Sequence, residues 1–203
     1  MFDHPEDDRR WLDRVETDLW QGEEDIKARY IAKTFASPEV HLARFSDRQV
    51  ANALEMIIAP GGTDYLIDAY KSTVPLDLRL GLIRATEGLF TKLFAKRCST
   101  FEIEAHSHLH GTCYMFWDLY SLEFETKDPA RAPVAAEKLA LVERILDMDN
   151  LMCQYSALHG LGHAQYDFPE RVAAAIDRYL ARHPEPEFAL REYALKARSG
   201  CVQ

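Results

Sequence analysis

The sequence has no apolar run approaching the ~18 residues that a membrane span needs, so no segment reads as a transmembrane helix. It has no C-x-x-C pair: Cys98, Cys113, Cys153 and Cys201 stand far apart. Its opening residues, MFDHPEDDRR, lack the basic start and apolar core of an export signal. Together these absences predict reduced thiols and a cytoplasmic location. There is no Walker loop, no G-x-G-x-x-G, no G-x-S-x-G and no calcium-binding EF-hand loop. The usual nucleotide, dinucleotide, serine-hydrolase and calcium readings therefore drop out. No basic cluster is present, and 24 Lys and Arg against 33 Asp and Glu leave a formal net charge of −9. Such a surface repels phosphate backbones and anionic lipid, which argues against nucleic-acid and membrane partners. It favours a basic protein partner on electrostatic grounds.

What is present is helical. With 203 residues, 47% of them hydrophobic and 28% charged, the chain matches an ordinary globular protein. A single α-helical domain over 1–203 is the expectation. Trp11, Leu12, Val15 and Leu19 space a first helix over Asp8–Trp20, and Ile26, Tyr30, Ile31 and Phe35 a second. Ser46 and Gln49 form a capping box ahead of a helix bearing Val50, Leu54, Ile57 and Ile58. Thr63 opens a helix with Leu66 and Ala69, and Pro75 opens one running to Phe94. An aromatic helix holds Tyr114, Met115, Trp117, Leu119 and Leu122, and Val134–Met148 forms another. No strand pattern repeats, so a βαβ fold is not expected.

The C-terminal stretch from Asp149 to Gly200 organises the rest. It reads as three helices: one capped by Asp149 or Asn150, one starting at Pro169, and one carrying Leu190, Tyr193, Ala194 and Ala197. Gly162 reads as a left-handed helix end. Gly160 inside the helix signals close packing or an early stop. The segment Ala157-Leu158-His159-Gly160-Leu161-Gly162-His163, followed by an amphipathic helix and an Ala-rich one, resembles a HEAT-type repeat. It is most similar to the lyase-associated HEAT-like repeats with their A-L-x-x-L-G pattern. It also resembles the C-terminal part of a group of uncharacterised bacterial proteins. The resemblance is clearest over 133–200, while residues 46–95 fit as generic helix pairs. It implies an all-α fold of stacked helical hairpins, a HEAT-like α-solenoid or compact helical array, and supplies no catalytic residues.

Three sets of residues carry possible chemistry. His159 and His163 lie four apart, on one helix face, a spacing zinc sites use. The H-E-x-x-H protease motif fails because Gly160 follows His159. His106, His108 and His110 would share one side if extended, together with Glu102 and Glu104. All five histidines are candidate metal ligands, and zinc is the cofactor they would suit; against this stands ordinary packing at a repeat junction. Cys113 and Cys153 are candidate nucleophiles, although their apolar helical settings suit small buried hydrophobes. Trp117 and Tyr120, in the aromatic run Tyr114–Tyr120, are candidate partner-binding residues or core material. The leading expectation is a non-enzymatic helical-repeat module that binds a protein partner, in an adaptor or immunity-type role. A metal-dependent hydrolase built on the histidines is the alternative.

Overall fold

Ser46 shows how far local chemistry sets an element. Its hydroxyl accepts from the Gln49 amide at 3.3 Å, while the Gln49 side chain accepts from the Ser46 amide at 3.1 Å. The expected capping box closes, and the helix Asp47–Ile58 follows it. A computed structural model describes residues 2–4, 20–60, 62–98, 108–120, 129, 131–184 and 188–202. Among these the helices are α1 (Glu24–Ala36), α2 (Pro38–His41), α3 (Asp47–Ile58), α4 (Tyr65–Ala69) and α5 (Leu76–Gly88), then α6 (Ala95–Arg97), α7 (His108–Tyr114), α8 (Phe116–Leu119) and α9 (Ala132–Leu146), and last α10 (Leu151–Ala164), α11 (Pro169–Arg182) and α12 (Phe188–Arg198). A π-helical segment, Leu89–Phe94, joins α5 to α6. Helix accounts for 74% of the described residues, which contain no strand. The fold is all-α, a compact helical array. None of its described helices is long and apolar enough to cross a membrane.

The core forms around α10. Eleven of its residues are buried, from Met152 to Ala164, so it lacks a solvent stripe and a clear amphipathic pattern. It touches α7, α8, α9, α11, α12 and the π-helical segment. Asn150 caps it, accepting from the Cys153 amide at 2.9 Å. The same side chain donates to Ala95 O and Cys98 O, at 3.3 and 3.4 Å, tying the start of α10 to the end of α6. At the other end of the array α1 packs on α4 and α5, and α5 on α9. One apolar cluster runs through both ends, from Ala28 to Val202.

Three expectations change. Gly162 does not end its helix: α10 continues to Ala164. A Cβ on Gly162 would lie 2.4 Å from Val202 Cγ2, so the position serves close approach of the C-terminal tail. The helix opened by Pro75 becomes π-helical at Leu89, a register change that the side-chain spacing does not announce. The aromatic helix is two short ones, α7 and α8, separated at Met115, whose φ of −81° and ψ of 7° leave the helical region. The helix expected to start at Pro169 does so, with Phe168 in the cap position. The helix expected over Asp8–Trp20, the loop bearing Glu102, Glu104 and His106, and Leu122 lie outside the described residues, apart from Trp20 itself.

Candidate metal centre

Two aromatic anchors place α8. Phe116 packs edge-on against Phe90 and Phe94, with ring centroids 5.1 and 6.0 Å away. Trp117 stacks on Phe90 at 5.6 Å with the rings 9° from parallel. The indole also lies against the backbone of α10: a Cβ on Gly160 would meet Trp117 Cγ and Cδ1 at 2.7 Å. Gly160 is therefore the gap into which α8 docks. Asp118 follows Trp117, and the docking puts its carboxylate beside the two residues that straddle the gap on α10, His159 and His163.

The three side chains converge. His159 Nε2 is 2.8 Å from Asp118 Oδ2, and 3.1 Å from His163 Nε2. His163 Nε2 makes a short contact with Asp118 Oδ1. One ligand atom from each residue lies within 4.8 Å of the other two, and this is the one such trio among the described residues. The imidazoles meet edge to face, centroids 4.7 Å apart. Burial grades across the cluster: His159 is 1% exposed, whereas the side chains of Asp118 and His163 are 27% and 39% exposed. One side is closed by protein and the other meets solvent.

Behind His159 lies a tyrosine group. The Tyr193 hydroxyl makes a short hydrogen bond with His159 Nδ1 and stands 3.0 Å from the Tyr114 hydroxyl. The Tyr114 ring packs against His159 at 4.8 Å and stacks on Tyr155 at 4.7 Å. Burial holds the Tyr193 phenol far above its ordinary pKa, and the Tyr114 hydroxyl adds to this. Tyr193 stays protonated and neutral. Burial also lowers the pKa of His163, against the pull of Asp118 and with help from His159 and Lys138. A lowered imidazole pKa leaves a lone pair free at neutral pH, as metal ligation requires.

Two imidazole nitrogens and one carboxylate oxygen suit a first-row divalent ion such as zinc. Zinc bonds of ~2.0–2.1 Å in a tetrahedron set ligand atoms about 3.3 Å apart. The observed 2.8 and 3.1 Å separations fall short by a few tenths of an ångström, within reach of small side-chain rotations. Three protein ligands with one side open is the pattern of reactive zinc sites, whereas structural sites close with four. The same atoms also satisfy one another without an ion, if each Nε2–H donates to one carboxylate oxygen and Tyr193 donates to His159 Nδ1.

The remaining sequence candidates fall elsewhere. His108, exposed at the start of α7, and His110 do not belong to the trio, and His106 lies outside the described residues. Both ring nitrogens of His110 are buried without a hydrogen-bond partner among the described residues. Trp117 and Tyr120 are 3% and 2% exposed, in the core. Tyr120 bonds to the Tyr70 hydroxyl and lies 3.3 Å from Thr86 Oγ1. Cys113 and Cys153 are buried; burial and the neighbouring thiols of Cys153 and Cys98 push the Cys113 pKa well up, the reverse of nucleophile activation. Asp118 was missed. Its signal was a lone acid within the aromatic run Tyr114–Tyr120. Compared with known proteins, the chain matches no family model, no curated sequence and no solved structure. The HEAT-like resemblance thus gains no support from relatives, and no repeat is identified.

Proposed function

We propose that the chain is a metal-dependent protein whose centre is Asp118, His159 and His163, with zinc or a similar first-row divalent ion as cofactor and hydrolysis as its reaction class. The convergence of two imidazoles and a carboxylate from α8 and α10, open on one side, carries this reading. His159 supplies the buried, fixed ligand. His163 and Asp118 supply the ligands next to solvent, and Asp118 offsets part of the ion's charge. An ion held there would lower the pKa of a bound water and polarise a carbonyl or phosphoryl oxygen. The test is zinc titration of protein purified without a histidine tag, followed by assay on ester, amide and phosphoester substrates. One ion per chain and turnover abolished by chelator support the reading. Stoichiometric ion without turnover reduces the site to a structural one. No bound ion leaves a hydrogen-bonded clamp between α8 and α10.

A second reading, a non-enzymatic interaction module, draws on a different place. A cavity of about 380 Å³ among α1, α3 and α4 is lined by Trp20, Tyr30, Ile31, Phe35, Ile57 and Tyr65, among others. Trp20 and Tyr30 are 45% and 61% exposed, and exposed aromatics are frequent binding anchors. The net charge favours a basic protein partner. A basic partner retained by the native protein but lost from a Trp20→Ala, Tyr30→Ala double variant would support it. Equal retention by both would count against it.

A further inference from the structure

A neutral imidazole carries one proton, and the partner of one ring nitrogen decides which nitrogen keeps it. His159 is buried, so this choice rests with protein groups. Its Nε2 faces Asp118 and His163, and its Nδ1 faces the Tyr193 hydroxyl. A hydroxyl can donate or accept, so Tyr193 alone does not fix the direction. The Tyr114 hydroxyl, 3.0 Å from that of Tyr193, gives Tyr193 a second partner, so that Tyr193 stays satisfied whether it accepts from His159 or donates to it. When Tyr193 donates to Tyr114, its oxygen is left to accept from His159 Nδ1–H, and the Nε2 lone pair then points at Asp118 and His163. When Tyr114 donates to Tyr193, the chain runs the other way: Tyr193 donates to Nδ1, and Nε2–H donates to Asp118. Packing holds the parts in place, with Tyr193 4.3 Å from Tyr155 and Tyr114 stacked on Tyr155.

We propose that Tyr193 is a positioning residue that, with Tyr114 behind it, accepts from His159 Nδ1–H and so supports the His159 tautomer that leaves Nε2 free for metal. The inference rests on the metal reading of Asp118, His159 and His163. Uptake of an ion would reverse the chain: the Nε2 proton would leave to solvent, Nδ1 would take the Tyr193 proton, Tyr193 that of Tyr114, Tyr114 that of the Tyr155 hydroxyl to which it is hydrogen-bonded, and Tyr155 one from solvent. Every ring would end neutral, and the proton number on the four groups would be unchanged. Without the phenol oxygen, an Nδ1–H would be buried with no acceptor, which disfavours the metal-binding tautomer.

The test is zinc affinity of the native protein and of Tyr193→Phe, by competition with a chelating indicator, with ¹⁵N shifts of the His159 ring read in parallel. Native protein should bind zinc with Nδ1 protonated. Tyr193→Phe should bind 10–100-fold more weakly, the usual effect of losing such a supporting hydrogen bond. Tyr114→Phe, which leaves Tyr193 in place, should weaken binding less and serves if the first variant fails to fold. If native protein binds zinc and both variants bind equally well with Nδ1 protonated, the role of Tyr193 is overturned while the centre stands. Lower melting temperature with unchanged affinity would likewise make Tyr193 a packing residue. If native protein binds no zinc, the metal reading itself has failed, and this inference with it.

Discussion

The Trp117 indole lies directly over Gly160, close enough that a Cβ there would sit 2.7 Å from the ring. This contact brings a one-turn helix from one part of the chain onto the central helix α10, and it sets Asp118 between His159 and His163. The packing and the candidate centre are thus one structural fact.

Gly160→Ala should therefore do more than a surface substitution. Overpacking at such a contact costs roughly 1–3 kcal/mol, and any retreat of the indole moves Asp118 with it. Urea unfolding should show the loss, and zinc affinity should fall in the same variant. Gly81 makes the contrast. It lies inside α5, and a Cβ there would meet nothing within 4 Å. Gly81→Ala should raise stability by about 0.5–1 kcal/mol.

Asp118→Asn tests the carboxylate. The amide keeps the shape but loses the charge, and one of its groups becomes a donor facing the imidazoles. Zinc binding should drop by at least about 100-fold, in line with loss of a ligand rather than of a supporting group. His163→Ala should have a similar effect, with little change in helix content by circular dichroism, because His163 is the half-exposed member.

Alkaline stability should track the buried and half-buried tyrosines, Tyr120 with its partner Tyr70 and Tyr155 among them. Burial, opposed by the hydroxyls of Thr86 and Tyr70, holds the Tyr120 pKa up at about 12 against an ordinary 10. The folded state thus resists losing this proton more than the unfolded chain does. The contribution is fully present below about pH 10 and is lost as pH rises through about 12. Two units correspond to roughly 2–3 kcal/mol. Tyrosinate absorbance and ellipticity, followed together, should change in that window.

The helix starts were legible because caps are local. Ser46 and Gln49 are three residues apart, as are Asn150 and the amide it accepts from, so both could be read in sequence. Loss of either cap, as Ser46→Ala or Asn150→Ala, should cost about 1 kcal/mol in thermal or urea unfolding. The larger loss should fall on Asn150, whose amide also holds Ala95 and Cys98. The pairing of His159 with His163 was legible for the same reason, four residues being one helical turn. Asp118 was not. It lies 41 residues from His159, and the contact that delivers it depends on a gap at Gly160 that exists only once α8 and α10 pack. Its aromatic neighbours hid it further, since the run Tyr114–Tyr120 keeps an apolar helical spacing straight through the break at Met115. Gly160 was legible as a sign of close packing, whereas Gly162, expected as a helix end, is instead a second close approach; which neighbour fills each gap is tertiary information.

The most direct measurement is an anomalous difference map at the zinc edge from crystals grown with zinc. The account predicts one strong peak bonded to Nε2 of His159, Nε2 of His163 and a carboxylate oxygen of Asp118, at about 2.0–2.2 Å from each. A map with no peak there, and the three side chains still hydrogen-bonded directly to one another, would contradict it.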